Sequence, residues 1–208
     1  MRFKFLVICL IALSTASSAQ ETIAGSQEPI TEFEVIIGGK VYSFKEGEIK
    51  TLDTVLTKPS ISIKLAENRK FDNGAVAFQY PRHLGFEFQK AEGYKGWTFS
   101  GNNMVVMFFE FDAKVPIDDF VDEMVNKFGN NNCRQEKFQK ELGHKICDGV
   151  KLNVTLVGQQ LTLDFYELIL KDGKSRFLAF QESLGEEGVS TDEFKKGFKI
   201  INATILYN

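Results

Sequence analysis

The run from Met104 to Phe111 constrains the fold more than any other part of the chain. Read with the two-residue period of a strand, it is apolar on both faces, with Met104, Val106 and Phe108 on one and Val105, Met107, Phe109 and Phe111 on the other. A strand that is apolar on both faces has to be covered on both. The sequence therefore predicts a central strand between two layers.

The clearest helix is predicted directly after this strand. Its apolar residues recur at the helical period and form one stripe, made by Ile117, Phe120, Val121, Met124, Val125 and Phe128. Pro116 suits the first turn, and Gly129 suits the end of the helix. A second helix is predicted near the C-terminus, where Ser190 and Glu193 have the spacing of a capping box.

Most of the remaining chain shows strand patterns. Two β-rich runs on either side of Gly38-Gly39 predict a hairpin. Residues 61–65 alternate as a half-buried strand does. Three alternating runs separated by glycine-containing turns predict an antiparallel three-stranded meander over residues 152–180.

The order of elements from Ala75 onward resembles the PsbP-like family, whose fold the photosystem extrinsic subunit shares with a small Ran-GTPase nucleotide-release factor. The residues that carry the likeness are Phe78-Gln79-Tyr80-Pro81, the strand Met104 to Phe111, the helix Ile117 to Phe128, Gly149 at the start of the meander, and the final helix into Ile200-Ile201-Asn202-Ala203. The resemblance implies an α+β fold over residues 75–208, in which an antiparallel β-sheet is packed by two helices. It also implies a binding or accessory role rather than a particular chemistry. Residues 32–74 are then predicted to be an N-terminal β-hairpin extension of that domain.

The N-terminus has the layout of a secretory signal peptide. A positive start is followed by an apolar run, Phe5 to Leu13, and by a small-residue stretch that ends at Ala19. We therefore expect residues 1–19 to be removed, residues 20–31 to be disordered, and the protein to be secreted or periplasmic. After cleavage no apolar stretch approaches membrane-spanning length, so no transmembrane segment is expected.

Two cysteines, Cys133 and Cys147, remain after cleavage. In an exported protein an even pair predicts a disulfide, here closing a stretch that is interpreted as a surface loop. The alternative is a thiol or metal site, for which His144 is the nearby ligand.

Composition and motifs narrow the classes of function. The net charge is -3 with no long run of one sign, so no nucleic-acid partner is expected. The histidines, His83 and His144, are far apart in sequence, and neither a Gly-x-Ser-x-Gly elbow nor a phosphate-binding loop occurs. The sequence thus predicts no catalytic residue, no metal site and no cofactor.

The candidate ligand contacts lie in one turn-rich segment. Arg82, His83, Tyr94 and Trp97 mix cationic and aromatic groups, a combination suited to recognition. We therefore expect a secreted or periplasmic accessory protein that binds an unknown protein or small ligand there, without catalysis. Two alternatives stay open, a secreted enzyme with a dispersed active site and a structural, envelope-associated protein.

Overall fold

The structure is a computed structural model that describes residues 27–52, 58–185 and 188–208. Its strands in chain order are β1 Glu32–Ile37, β2 Lys40–Lys45, β3 Ile61–Leu65, β4 Asn68–Asp72, β5 Val76–Pro81, β6 Gly85–Ala91, β7 Tyr94–Ser100, β8 Met104–Phe111, β9 Cys133–Leu142, β10 Lys145–Leu156, β11 Gln159–Glu167, β12 Ser175–Ser183 and β13 Leu206–Tyr207. The helices are α1 Ile117–Phe128 and α2 Asp192–Thr204, with a 3-10 turn at Asn130–Asn132.

Sheet dominates the fold, and the expectation of an α+β domain was wrong. Of the described residues, 53% lie in strands and 17% in helices, and the strands form three antiparallel sheets. Some of the strands that the sequence did not predict lie in segments without apolar alternation. The edge strand β9 is mostly exposed, and β4 has one buried side chain, Phe71. Neither carries the period-two pattern by which a strand is recognised in a sequence.

The largest sheet has seven strands in the order β6-β7-β8-β12-β11-β10-β9. β8 lies between β7 and β12, with Met107 opposite Ala179, and its residues from Met104 to Glu110 are all buried. The prediction of a central strand covered on both faces is confirmed. The meander predicted over residues 152–180 is also confirmed, since β10, β11 and β12 pair in sequence as antiparallel neighbours.

α1 covers one face of the seven-stranded sheet. Phe120, Val121 and Met124 are buried there among inward side chains of β8, β10, β11 and β12. Burial of a side chain of this size contributes roughly 1.5–3 kcal/mol. The helix has the predicted bounds, and it ends because Gly129 has a φ of 88°, a conformation that glycine adopts without steric cost.

The opposite face carries the small sheet β13-β5-β4 together with α2. Phe71 and Phe78 of the small sheet meet Trp97 and Phe99 of β7 edge to face, with ring centroids 5.3–5.7 Å apart. Aromatic pairs favour this geometry. The aromatic layer therefore holds the small sheet on the large one.

α2 lies on the same face, close to β8. A Cβ atom at Gly197 would lie 2.4 Å from the Met104 sulfur, so a glycine here lets the helix lie directly against that side chain. The predicted capping box is partly wrong. Thr191 caps the helix and accepts from the backbone N–H three residues on at 3.3 Å. Ser190 instead donates a hydrogen bond to the buried carboxylate of Glu182.

The N-terminal sheet has the order β2-β1-β3. The predicted hairpin is confirmed, and Gly38 and Gly39 form its two-residue turn with φ of 55° and 83°. The predicted strand over residues 61–65 is β3, but all of its residues are exposed rather than half buried. Residues 68–72, which the sequence prediction counted with this extension, form β4 and pair with β5.

The predicted signal peptide, residues 1–19, lies outside the described residues, and a secreted or periplasmic location stays a prediction. Of the segment 20–31, the structure describes residues 27–31. There Glu28 Oε1 and the Pro29 carbonyl accept hydrogen bonds from Arg69 at 2.8 and 2.6 Å. No helix within the described ranges is long and apolar enough to cross a membrane.

The predicted disulfide between Cys133 and Cys147 is wrong, because both are free thiols. The segment between them is not a loop but the hairpin of β9 and β10. Cys133 faces Val154 in that ladder and Cys147 faces Lys140, so the cysteines are separated by seven residues of β10, about 23 Å. They also pack in the cores on opposite faces of the sheet. A disulfide needs Cα atoms within about 7 Å.

Candidate functional site

A pocket opens where the end of β5, the β7–β8 turn and the N-terminus of α2 meet. Its volume is ≈ 310 Å³, at the lower end of the range for small-molecule sites. The lining residues are Pro81, His83, Asn102, Asn103, Asp192, Glu193 and Lys196. All of them except Pro81 carry polar or charged groups that can bond a ligand, while most of the pocket surface consists of apolar atoms.

Glu193 organises the hydrogen bonds of the pocket. It is the second residue of α2, and its carboxylate reaches the β7–β8 turn. Oε1 accepts from the Asn102 N–H at 3.2 Å, and Oε2 accepts from the Asn103 N–H at 2.5 Å. Burial raises the pKa of Glu193, but these N–H donors together with His83 outweigh burial and hold the pKa below its usual value. The carboxylate is therefore ionised at neutral pH and binds the turn to the helix.

His83 follows β5 and lies within hydrogen-bond distance of this carboxylate. Its Nε2 lies 2.8 Å from Glu193 Oε1. Because an ionised carboxylate only accepts hydrogen bonds, Nε2 carries a hydrogen, and Nδ1 is left for a ligand. The side chain is 54% exposed, so the ring is open to a molecule in the pocket.

Gly101 makes room for the carboxylate. A Cβ atom at this position would lie 2.5 Å from Glu193 Oε1 and 2.7 Å from Leu84 Cδ2. The Gly101 N–H also donates to the Met104 carbonyl at 2.7 Å and so closes the turn that presents the two N–H donors. A side chain at residue 101 would displace the carboxylate from those donors.

Asp192 and Lys196 add opposite charges to the rim. They lie one helical turn apart and therefore on the same face of α2. Asp192 is fully exposed and lies 4.0 Å from Lys195, whereas Lys196 forms no ion pair with any residue of the described ranges. The pocket can thus offer an anionic and a cationic group to one small molecule.

The buried carboxylate of Glu182 holds the start of α2 in place. Glu182 of β12 is 3% exposed and accepts from Ser190 Oγ at 2.9 Å, from the Thr191 N–H at 2.5 Å and from Thr191 Oγ1 at 3.1 Å. Removing the partners of a buried charge is strongly destabilising. These bonds therefore keep the helix start, and with it the pocket residues Asp192 and Glu193, against the sheet.

The structure brings one of the four predicted ligand contacts, His83, to the pocket. Trp97 is 3% exposed and packs in the core between the large and small sheets. Tyr94 is 8% exposed and packs on the opposite face of the large sheet, on the side covered by α1. The two aromatic residues therefore cannot contact one common ligand at the pocket.

Arg82, the fourth predicted contact, links the N-terminal sheet to the rest of the molecule. Its Nε donates to the Ala66 carbonyl, and its Nη2 donates to the Glu32 carbonyl at 3.0 Å. Its backbone N–H donates to the Glu67 carbonyl at 3.0 Å. These bonds hold the start of β1 and the β3–β4 connection and give Arg82 a structural role.

Sequence reasoning missed the pocket residues that the β7–β8 turn and α2 contribute. Asn102 and Glu193 share a hydrogen bond although they are 91 residues apart in the chain, so no local pattern joins them. The capping-box spacing of Glu193 was the available signal, and it pointed to a structural role at the helix start.

The polar groups of the pocket suit recognition by charge and hydrogen bonding. In the part of the chain that the structure describes, no group of three or more His, Cys, Asp or Glu side chains is placed to hold a metal ion. The pocket offers one imidazole nitrogen, one ammonium group, one exposed carboxylate and two asparagine side chains.

No protein-family model matches the chain, and no curated protein matches its sequence. The resemblance to the PsbP-like family therefore stays a prediction from the order of elements.

Proposed function

We propose that the protein is an exported, non-catalytic accessory protein that binds a small polar ligand in the pocket around His83. One observation carries the proposal: Glu193 is held ionised by two backbone N–H groups and by His83 Nε2, and the open side of the imidazole shares a pocket with Lys196 and Asp192. The layout of the first nineteen residues supports export.

The charges at the rim define the class of ligand. Lys196 and the His83 ring suit an anionic group, and Asp192 suits an ammonium group. The volume of ≈ 310 Å³ favours a small molecule. A zwitterion of amino-acid size, with one carboxylate and one amine, matches both charges of the rim.

Nuclear magnetic resonance titration with glycine, acetate and ethylamine tests this assignment. We expect glycine to shift the amide resonances of Asn102 and Asn103 and to bind more tightly than acetate or ethylamine, each of which carries one of its two charges. Lys196→Gln should weaken glycine binding about ten-fold, as expected for one lost charge-assisted hydrogen bond.

Lys195→Gln is the matched control, because this lysine is the preceding residue of α2 and does not line the pocket. Binding of glycine should be unchanged in that variant. Equal losses in the two variants, or the absence of shifts with all three probes, would contradict the proposal.

The same histidine supports a second candidate, an enzyme in which His83 acts as a general base. A carboxylate that orients a histidine through one ring nitrogen leaves the other nitrogen to accept a proton. Cleavage of the chromogenic ester p-nitrophenyl acetate should then be lost in His83→Gln and kept in His144→Gln, whose histidine is exposed at the β9–β10 turn. Similar rates in both variants would remove this candidate.

A further inference from the structure

The free edge of the N-terminal sheet is an apolar strand, β3, here called the β3 edge. Among the described residues β3 pairs on one side only, with β1, and all five of its residues are exposed. Ile61, Ile63 and Leu65 are 58%, 67% and 51% exposed. An exposed apolar edge of this kind is a ready template for pairing with another chain.

The backbone of the β3 edge has a defined polarity. Ser60 and Ala66, which flank it, each share a backbone hydrogen bond of 3.0 Å with the hairpin of β1. In an antiparallel ladder the residues bonded to one neighbour alternate with residues whose N–H and C=O point away. The outward residues are therefore Ile61, Ile63 and Leu65, and no described residue outside the β1 ladder makes a backbone hydrogen bond to them.

We propose that two copies of this chain pair through the β3 edge, antiparallel, about a two-fold axis at Ile63. In that register Ile63 faces Ile63 of the second copy, and Ile61 faces Leu65 of the second copy. All three outward residues then belong to hydrogen-bonded pairs, so every outward N–H and C=O of both edges has a partner. The two three-stranded sheets become one sheet of six strands.

Side chains support the same register. The odd-numbered residues of β3 lie on one face with Phe33 and Val35 of β1, which stand opposite Leu65 and Ile63. The proposed pairing sets aliphatic side chains against each other across the new strand pair, and such pairs stabilise a sheet. The apolar faces of the two copies become continuous.

Charge distinguishes the β3 edge from the other edge of the sheet, β2. Lys64 is the charged residue of β3. It is bound to Glu34 at 2.9 Å, and in the proposed register it faces Ser62 of the second copy. β2 has a lysine at each end, Lys40 and Lys45. Lysines on an edge strand oppose its pairing with another chain, which favours the β3 edge.

The length of the edge limits the strength of the dimer. Pairing of two five-residue edges buries far less accessible surface than the roughly 1,600 Å² of a standard stable interface. The dimer is therefore weak and dissociates on dilution.

Sedimentation equilibrium of the purified protein from micromolar to millimolar concentration measures this association. The wild type should pass from monomer to dimer and go no further. Ile63→Lys sets two ammonium groups against each other at the axis and should weaken association by about ten-fold or more. Val41→Lys makes the same change at a position of β2 that is 61% exposed, and it should associate as the wild type does.

A cross-link gives a second readout that does not depend on how a lysine affects folding. Ile63→Cys should oxidise to a covalent dimer, because the Cα atoms of a hydrogen-bonded pair lie about 5.5 Å apart, within the reach of a disulfide. Val41→Cys keeps the same native cysteines and should not cross-link under the same conditions. A wild type that stays monomeric, association that continues past the dimer, or equal cross-linking of both variants would overturn the proposal.

Discussion

Replacing Glu193 by Gln tests whether the pocket carboxylate also stabilises the fold. The carboxylate joins α2 to the β7–β8 turn through the N–H groups of Asn102 and Asn103, and it pairs with His83. Gln keeps the size of the side chain, but it has one acceptor oxygen and a donating NH₂ group in place of two acceptor oxygens. One of the two backbone N–H groups then loses its acceptor.

The size of the effect follows from the burial of this group. A hydrogen bond to a charged group contributes about 1.5–3 kcal/mol, and the Glu193 side chain is 14% exposed, so water replaces little of the loss. We expect Glu193→Gln to lower the free energy of unfolding by about 1.5–3 kcal/mol at neutral pH.

The loss should also depend on pH. Burial raises the pKa of Glu193, the N–H donors and His83 lower it by more, and the pKa in the folded protein lies below that of the unfolded chain. Such a carboxyl group stabilises the fold fully above its unfolded pKa and loses this contribution as the pH falls through its folded pKa. The stability difference between wild type and variant should therefore be largest at neutral pH and disappear in acid.

Urea unfolding across this pH range measures the difference. Asp192→Asn is the matched control, since it neutralises the preceding, fully exposed carboxylate and should change stability by no more than about 0.5 kcal/mol. Equal costs for the two substitutions, or a cost for Glu193→Gln that does not depend on pH, would refute the described role of the carboxylate.

Three other outcomes concern the core and the cysteines. Phe120→Ala should lower the free energy of unfolding by about 3–5 kcal/mol, because the ring is 4% exposed. Asp119→Ala, on the outer side of α1, should lower it by at most about 0.5 kcal/mol. The reverse order in urea unfolding would mean that the helix faces are misassigned. Gly149→Ala should lower the free energy of unfolding by about 1–3 kcal/mol, because its Cβ atom would lie 2.3 Å from the Phe165 carbonyl oxygen. Gly85→Ala, whose nearest contact would be 3.7 Å away, should have little effect in the same assay. Both cysteines of the described chain should react with a thiol reagent in denaturant without reductant, and a single intrachain disulfide in that assay would contradict the strand register.

The sequence by itself determined those helices, strands and turns whose residue pattern lies within one segment of the chain. The helix Ile117–Phe128 and the strand Met104–Phe111 each present their apolar side chains to a buried face, so the periodicity of one segment reveals them. The hairpin at Gly38-Gly39 was visible for a related reason, since its turn demands a backbone conformation that glycine supplies.

Only the tertiary structure decided the polar strands and the pairing of the cysteines. β9 and β4 are strands because β10 and β5 supply their backbone hydrogen bonds, and a strand with one buried side chain needs no apolar alternation. The same register placed Cys133 and Cys147 far apart on opposite faces, although they are close in the sequence.

The candidate site depended on tertiary structure almost entirely. Tyr94 and Trp97 are three residues apart on one strand, so they point to opposite faces of the sheet and enter different cores. His83 and Glu193 are 110 residues apart, and they meet because α2 packs back onto the sheet beside the end of β5 and the β7–β8 turn. Hydrogen bonds between such distant segments leave no periodic pattern in either segment, and for that reason the pocket could not be predicted from the sequence.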